Sequence, residues 1–107
     1  MALTRSFRDT VATRVKRDSA FREALLTEAV QALIAGEPDV GKSVLRDYIN
    51  ATIGFPRLSE LTSTPAKSLM RMLAPGGNPQ ARNLCAVLDH LQKETGVRLT
   101  VSVATIA

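Results

Sequence analysis

Apolar side chains recur every three or four residues through most of this 107-residue chain, which is the period of amphipathic helices. The clearest stretch covers residues 19–35. Asp18 is suited to cap its start, and Gly36 is suited to end it. Its apolar stripe consists of Phe21, Leu25, Ala29 and Leu33.

The same spacing predicts further helices on either side of that stretch, the first of them short. The predicted helices are residues 6–16, residues 40–52 with Asp39 as cap, and residues 79–95 with Gly96 as stop.

Between the predicted helices 40–52 and 79–95, the apolar pattern is divided into two short segments. Arg57–Leu61 is followed by the polar triplet Thr62-Ser63-Thr64, and Pro65 then opens a segment that reaches Leu73. Proline is well tolerated at a first helical position, where its missing N–H is not needed. Two short helices joined by a tight turn are the layout of a helix-turn-helix. We therefore expect an all-α fold of five to six helices that contains this motif.

In the last residues the apolar side chains recur every second residue instead of every three or four. Val97, Leu99, Val101 and Val103 alternate with polar residues, which predicts a short C-terminal β-strand. A lone strand needs a partner for its backbone groups, either the same tail in a second copy or a sheet edge of another protein. The chain thus divides into an N-terminal helical extension (1–37), a helix-turn-helix core (38–96) and a C-terminal strand (97–107).

Composition narrows the class of protein without selecting a partner. A net charge of +4 suits nucleic acid, an anionic membrane surface or an acidic protein. The single cysteine, Cys85, excludes an intramolecular disulfide framework and fits a reducing compartment. No apolar run approaches the roughly 20 residues of a membrane span, and the N-terminus does not resemble a signal peptide. We expect a cytoplasmic protein with no membrane association.

Nothing in the sequence predicts catalysis, a cofactor or a metal. His90 is the only histidine, and no cysteine cluster accompanies it, so a structural zinc site is not expected. No nucleophile is placed beside a base, and Gly76-Gly77 lacks the preceding strand of a phosphate-binding loop. We expect Met70 and Met72 to be packing residues and Cys85 to be a buried apolar one.

The short helices resemble the phage-repressor/Cro type of helix-turn-helix. The resemblance rests on Leu58-Ser59-Glu60-Leu61, the turn that follows, and Asn78-Pro79 ahead of the next helix. It departs from the family at Ser63, where glycine is common. The resemblance implies that the unit is held together by Leu58, Leu61, Leu69, Met72 and Leu84. It also implies that the second helix enters the major groove through Ala66, Lys67, Ser68 and Arg71.

Elementary chemistry agrees with that assignment. Lys67 and Arg71 are four residues apart, so they share one helical face. Each can pair with guanine O6 and N7, which discriminates against a wrong base by about 1–3 kcal/mol. Thr64, as cap of the second helix, and Asn78 are candidates for phosphate contact. The predicted DNA-binding residues are Thr64, Ala66, Lys67, Ser68, Arg71 and Asn78.

Most of the chain also resembles the HigA-like antitoxins of addiction modules. The matching strings are FREALL at 21–26, LRDYINATIGF at 45–55, SLMRML at 68–73, GNP at 77–79 and GVRL at 96–99. This resemblance implies an antitoxin of a type II toxin–antitoxin module, a homodimer that represses its own operator. It further implies a partner toxin, an mRNA endonuclease of the RelE/HigB-like kind.

Two alternatives remain open at this point. One is a stand-alone phage-type transcriptional repressor without a toxin. The other is a protein-binding module that masks a partner enzyme and does not bind DNA, since one fold supports many functions.

Overall fold

The computed structural model describes residues 17–106, and these form five α-helices with no strand among them. In chain order they are α1 (Ser19–Ile34), α2 (Pro38–Ala51), α3 (Gly54–Thr62), α4 (Ala66–Met72) and α5 (Ala81–Thr95). The prediction of an all-α fold is confirmed for this part of the chain. The helix predicted over residues 6–16 lies outside the described residues.

The start of α1 follows the sequence prediction, whereas the start of α2 does not. The Asp18 carboxylate accepts a hydrogen bond from the Phe21 backbone N–H at 3.1 Å, as expected of an N-cap. Asp39 was predicted to cap α2, and that prediction is wrong. Pro38 occupies the first helical position, where its fixed φ is favourable, and Asp39 lies inside the first turn.

Helices α1 and α2 approach closely at Gly41. A Cβ atom there would lie 2.6 Å from the Leu33 side chain and 2.9 Å from the Ala29 carbonyl oxygen. Such distances are too short for any side chain, so only glycine permits this helix–helix contact.

Helix α2 lies at the centre of the fold. Its Tyr48 is fully buried, and the Tyr48 hydroxyl donates a hydrogen bond to Thr95 Oγ1 of α5 at 3.0 Å. Burial raises the pKa of Tyr48. All five helices contribute to one apolar core, whose buried members are Leu26, Ala29, Leu45, Tyr48, Ile49, Phe55, Leu58, Leu69, Leu73, Val87 and Leu91.

The C-terminal tail leaves α5 through Gly96, which adopts a left-handed conformation with φ 71°. Val97 and Leu99 pack against the core, and the Leu99 N–H donates to Gln92 Oε1 at 2.7 Å. Beyond them Val101 and Val103 are 89% and 94% exposed. The predicted strand is not formed within residues 97–106, because no other described segment pairs its backbone with that of the tail.

Across residues 17–106, no helix combines the length and apolar content that crossing a bilayer would require.

Candidate nucleic-acid interface

The turn between α3 and α4 is built around Ser59 and Ser63. Ser63 ends α3 in the left-handed region, with φ 53° and ψ 35°. The Ser59 carbonyl accepts the backbone N–H groups of Ser63 and Thr64, and the Ser59 hydroxyl donates to the Thr64 carbonyl at 2.6 Å. Serine therefore occupies the position where the resemblance led us to expect glycine, and the hydrogen bonds of Ser59 hold the strained backbone in place.

Replacing Ser63 with glycine is expected to stabilise the protein. A left-handed conformation costs an L-residue about 1–2 kcal/mol, whereas glycine loses about 0.5–1 kcal/mol more chain entropy on folding. The difference predicts a gain of roughly 0.5–1 kcal/mol in the free energy of unfolding, measured by urea denaturation. Ser68→Gly, in the middle of α4, is the matched control and should lose stability. A loss for Ser63→Gly would show that the turn does not hold this conformation in solution.

Helix α4 is short, and its two faces differ sharply. Leu69 is its one fully buried side chain, and Ala66 and Met72 pack half-buried against the core. On the other side Lys67 and Arg71 are both exposed, and neither forms an ion pair with any residue between 17 and 106. The cationic face predicted for α4 is thus outward and accessible.

Four predicted site residues differ in detail from expectation. Thr64 does not cap α4, because Pro65 stands directly before the helix and the Thr64 hydroxyl donates to the Thr62 carbonyl at 3.2 Å. Ala66 and Ser68 are half-buried and so form the margin of the cationic face. Asn78 is exposed, but it does not cap α5, whose N-cap position is Gln80.

Two packing predictions, for Met70 and Cys85, are also wrong. Met70 is 45% exposed, since it lies on the outer side of α4, whereas Met72 does pack against the core. Cys85 is exposed near the start of α5 and is not a buried apolar residue.

Sequence reasoning missed a pair of cations on α2 that hold the end of α4. Lys42 is only 4% exposed, and its Nζ donates to the carbonyl oxygens of Ala74 at 3.2 Å and Gly77 at 2.5 Å. Asp39 completes its contacts with an ion pair at 3.1 Å. One turn further along α2, the Arg46 guanidinium donates to the Leu73 carbonyl. The partners lie 27 to 35 residues away in sequence, so no local pattern indicates these bonds.

The loop after α4 lies directly against the end of that helix. A Cβ on Gly77 would lie 2.4 Å from the Arg71 carbonyl oxygen and 2.6 Å from that of Met72. Glycine is therefore required at this position, and it brings the loop carbonyls within reach of Lys42.

Arg57, the first residue of the first predicted short helix, already forms ion pairs. It bridges Glu60 of α3 at 3.2 Å and Glu94 of α5 at 3.1 Å. Its hydrogen bond to Glu60 and its attraction to Glu94 raise the pKa of Arg57. Arg57 thus connects two helices and adds little unpaired positive charge to the surface.

Compared with known proteins, the chain matches no protein-family model, no curated protein and no solved structure. Among the described residues, no three histidine, cysteine or acidic side chains come together as a metal site. The chain is an all-α protein of five helices across residues 17–106. Its candidate site is the outward face of α4.

Proposed function

We propose that this protein binds operator DNA through α3 and α4 acting as a helix-turn-helix, with α4 in the major groove. The observation that carries the proposal is the exposure of Lys67 and Arg71, one turn apart on α4 and without ion-pair partners among residues 17–106. Two exposed cations on one face of α4 match the guanine O6 and N7 acceptors of the major groove. Ala66 and Ser68 are proposed to enter the groove beside the two cations, and Thr64 and Asn78 are proposed as phosphate contacts.

The proposed role is that of an antitoxin that represses its own operon. It rests on the resemblance to HigA-like antitoxins, which implies a homodimer and a RelE/HigB-like mRNA endonuclease as the neutralised partner. A two-fold dimer would read half-sites about 34–36 Å apart, one turn of the duplex.

The direct test is binding to the DNA that precedes the chain's own reading frame. We expect a preference for that DNA over a scrambled duplex, and an affinity that falls steeply with salt because phosphate neutralisation releases counterions. Equal affinity for both duplexes, or a flat response to salt, would contradict sequence-specific binding. Absence of any DNA binding would favour the alternative of a protein-interaction module.

The toxin is tested separately, by co-expression with the adjacent reading frame. An antitoxin should co-purify with that product and relieve the growth arrest it causes. Operator binding without a co-purifying neighbour would favour the stand-alone repressor. Helix α1 is a candidate surface for the toxin because the α3–α4 unit does not need its outer face.

We infer further that residues 97–107 become a strand on assembly, paired with a second copy or with the toxin. Three large apolar side chains of the tail, Val101, Val103 and Ile106, are 89%, 94% and 91% exposed. Residues 100–106 carry no charge and donate no backbone hydrogen bond to another described residue. An uncharged, β-branched segment of this kind is suited to edge pairing.

Deleting residues 100–107 is therefore expected to halve the native mass or to abolish toxin capture. The fold should persist, because the deletion keeps Val97 and Leu99, which pack on the core. Light scattering measures the first effect and co-purification the second. Replacing Val101 and Val103 with threonine is the matched control, since it retains β-propensity but removes apolar area. A truncated protein with unchanged mass and unchanged capture would show that the tail has no role in assembly.

A further inference from the structure

Lys42 is the single buried charged side chain within residues 17–106, and nothing in the proposed DNA contact uses it. Burying an ammonium group is costly unless every N–H finds a partner. Here Lys42 Nζ donates to two loop carbonyls, and the Asp39 carboxylate lies 3.1 Å away as its counter-ion. The buried charge of Lys42 therefore holds the backbone that follows α4.

We propose that Lys42 and Arg46 are positioning residues that set the direction of α4 and thereby its sequence discrimination, without touching DNA. This inference rests on the proposed function, because it concerns how α4, the proposed recognition helix, is oriented.

The two cations bind backbone carbonyls at the C-terminal end of α4. The last carbonyls of a helix have no partner within the helix, and cations near that end are favourable. Arg46 donates to the carbonyl of Leu73, the residue that ends α4, and Lys42 donates to the next carbonyl at Ala74. Lys42 and Arg46 are one turn apart on α2, so a single rigid face of the central helix holds this end of α4.

Helix α4 is anchored to the core by a few apolar side chains on one of its sides. The helix has seven residues, and only Leu69 within it is fully buried. Its other end is held through Ser59, which bonds the turn before the helix. Leu73, just past the helix, is also buried, and Ala66 and Met72 are half-buried. These apolar contacts are all on one side of a short helix, so the polar contacts at its two ends help to fix the direction of its axis.

Losing the contacts from α2 should affect the recognition of base sequence. Losing the α2 contacts leaves the charges of Lys67 and Arg71 in place, so attraction to phosphates persists. It changes the directions of these side chains, and base-edge hydrogen bonds depend on direction. Discrimination between sequences should therefore fall much more than affinity for DNA in general.

The test compares Lys42→Met with the wild-type chain at a temperature where both are folded. Methionine retains the length of the side chain and removes the donors. We expect affinity for the operator to fall about tenfold or more, as for the loss of one base contact, while affinity for scrambled DNA changes less than about twofold. Lys93→Met is the control, because it makes the same replacement at an exposed lysine of α5 that is paired with Asp89; it should keep the operator preference of the wild type.

Arg46→Met serves as the second variant, since it removes only one bond and the Arg46 side chain is half-buried. It should show the same loss of discrimination, to a smaller degree. Equal losses on operator and scrambled DNA in either folded variant, or no loss in both, would overturn the proposal.

Amide hydrogen exchange of the free protein separates this inference from the proposed function. Protection of residues 66–72 should drop in Lys42→Met while protection of α1 and α5 persists. Unchanged exchange across α4 would overturn the positioning role even if the wild type binds DNA. Faster exchange confined to α4 would support it even if no DNA preference is found.

Discussion

Replacing Lys67 and Arg71 together with alanine is expected to weaken operator binding by a factor on the order of 100 or more, at unchanged stability. Each cation that pairs with a guanine edge contributes about 1–3 kcal/mol of discrimination, and the double variant loses both. The two side chains are exposed and carry no ion pair with another described residue, so their removal should change the free energy of unfolding by less than about 0.5 kcal/mol. Fluorescence anisotropy with operator and scrambled duplexes measures the first quantity, and urea denaturation the second.

The matched control removes the same net charge elsewhere. Lys93 and Arg98 are exposed near the end of α5 and in the tail, and Lys93 is engaged with Asp89 at 2.9 Å. Their double replacement by alanine should reduce affinity for all DNA slightly and leave the preference for the operator intact. Equal losses in the two double variants would mean that only net charge matters, and α4 would not be the reading helix.

Replacing Leu69 with alanine is expected to lower the free energy of unfolding by about 2–5 kcal/mol, the usual effect of truncating a buried leucine. Leu69 is 1% exposed and is the one fully buried side chain within α4. For a domain of this size each kcal/mol corresponds to roughly 4–8 °C in Tm, so the loss should be plain in a thermal melt.

Met70→Ala is the control for Leu69→Ala, because it removes a similar volume from the adjacent position. Met70 is 45% exposed, so its truncation should change stability by less than about 0.5 kcal/mol. Similar losses for the two variants would show that α4 does not present its Leu69 side to the core.

Much of the fold is readable from local patterns. The stripe through Leu25 and Leu33, with Asp18 before it and Gly36 after it, predicts α1 nearly to its ends. The break at Thr62-Ser63-Thr64 separates α3 from α4, and four-residue spacing places Lys67 and Arg71 on one face. These features depend on neighbours within one or two turns, and such neighbours are close in sequence.

Other features were mispredicted or missed because their causes are not local. Thr64 and Asp39 have the chemistry of caps, yet the prolines beside them move each helix start by one or two positions. Met70 is as apolar as Met72, and only the angle at which α4 meets the core decides which of them is exposed. The tail alternates as a strand does, but a strand also needs a second backbone beside it.

The order of the helices, the breaks between them and the cationic face of α4 follow from residues that are close in the chain, because helical geometry relates such neighbours without reference to anything else. The direction of α4 and the burial of Lys42 depend on segments about thirty residues apart, and packing alone brings these together. From the sequence alone, Lys42 and Arg46 have the spacing of an ordinary exposed pair on a helix. Only the tertiary structure shows that they bind the carbonyls of residues 73, 74 and 77.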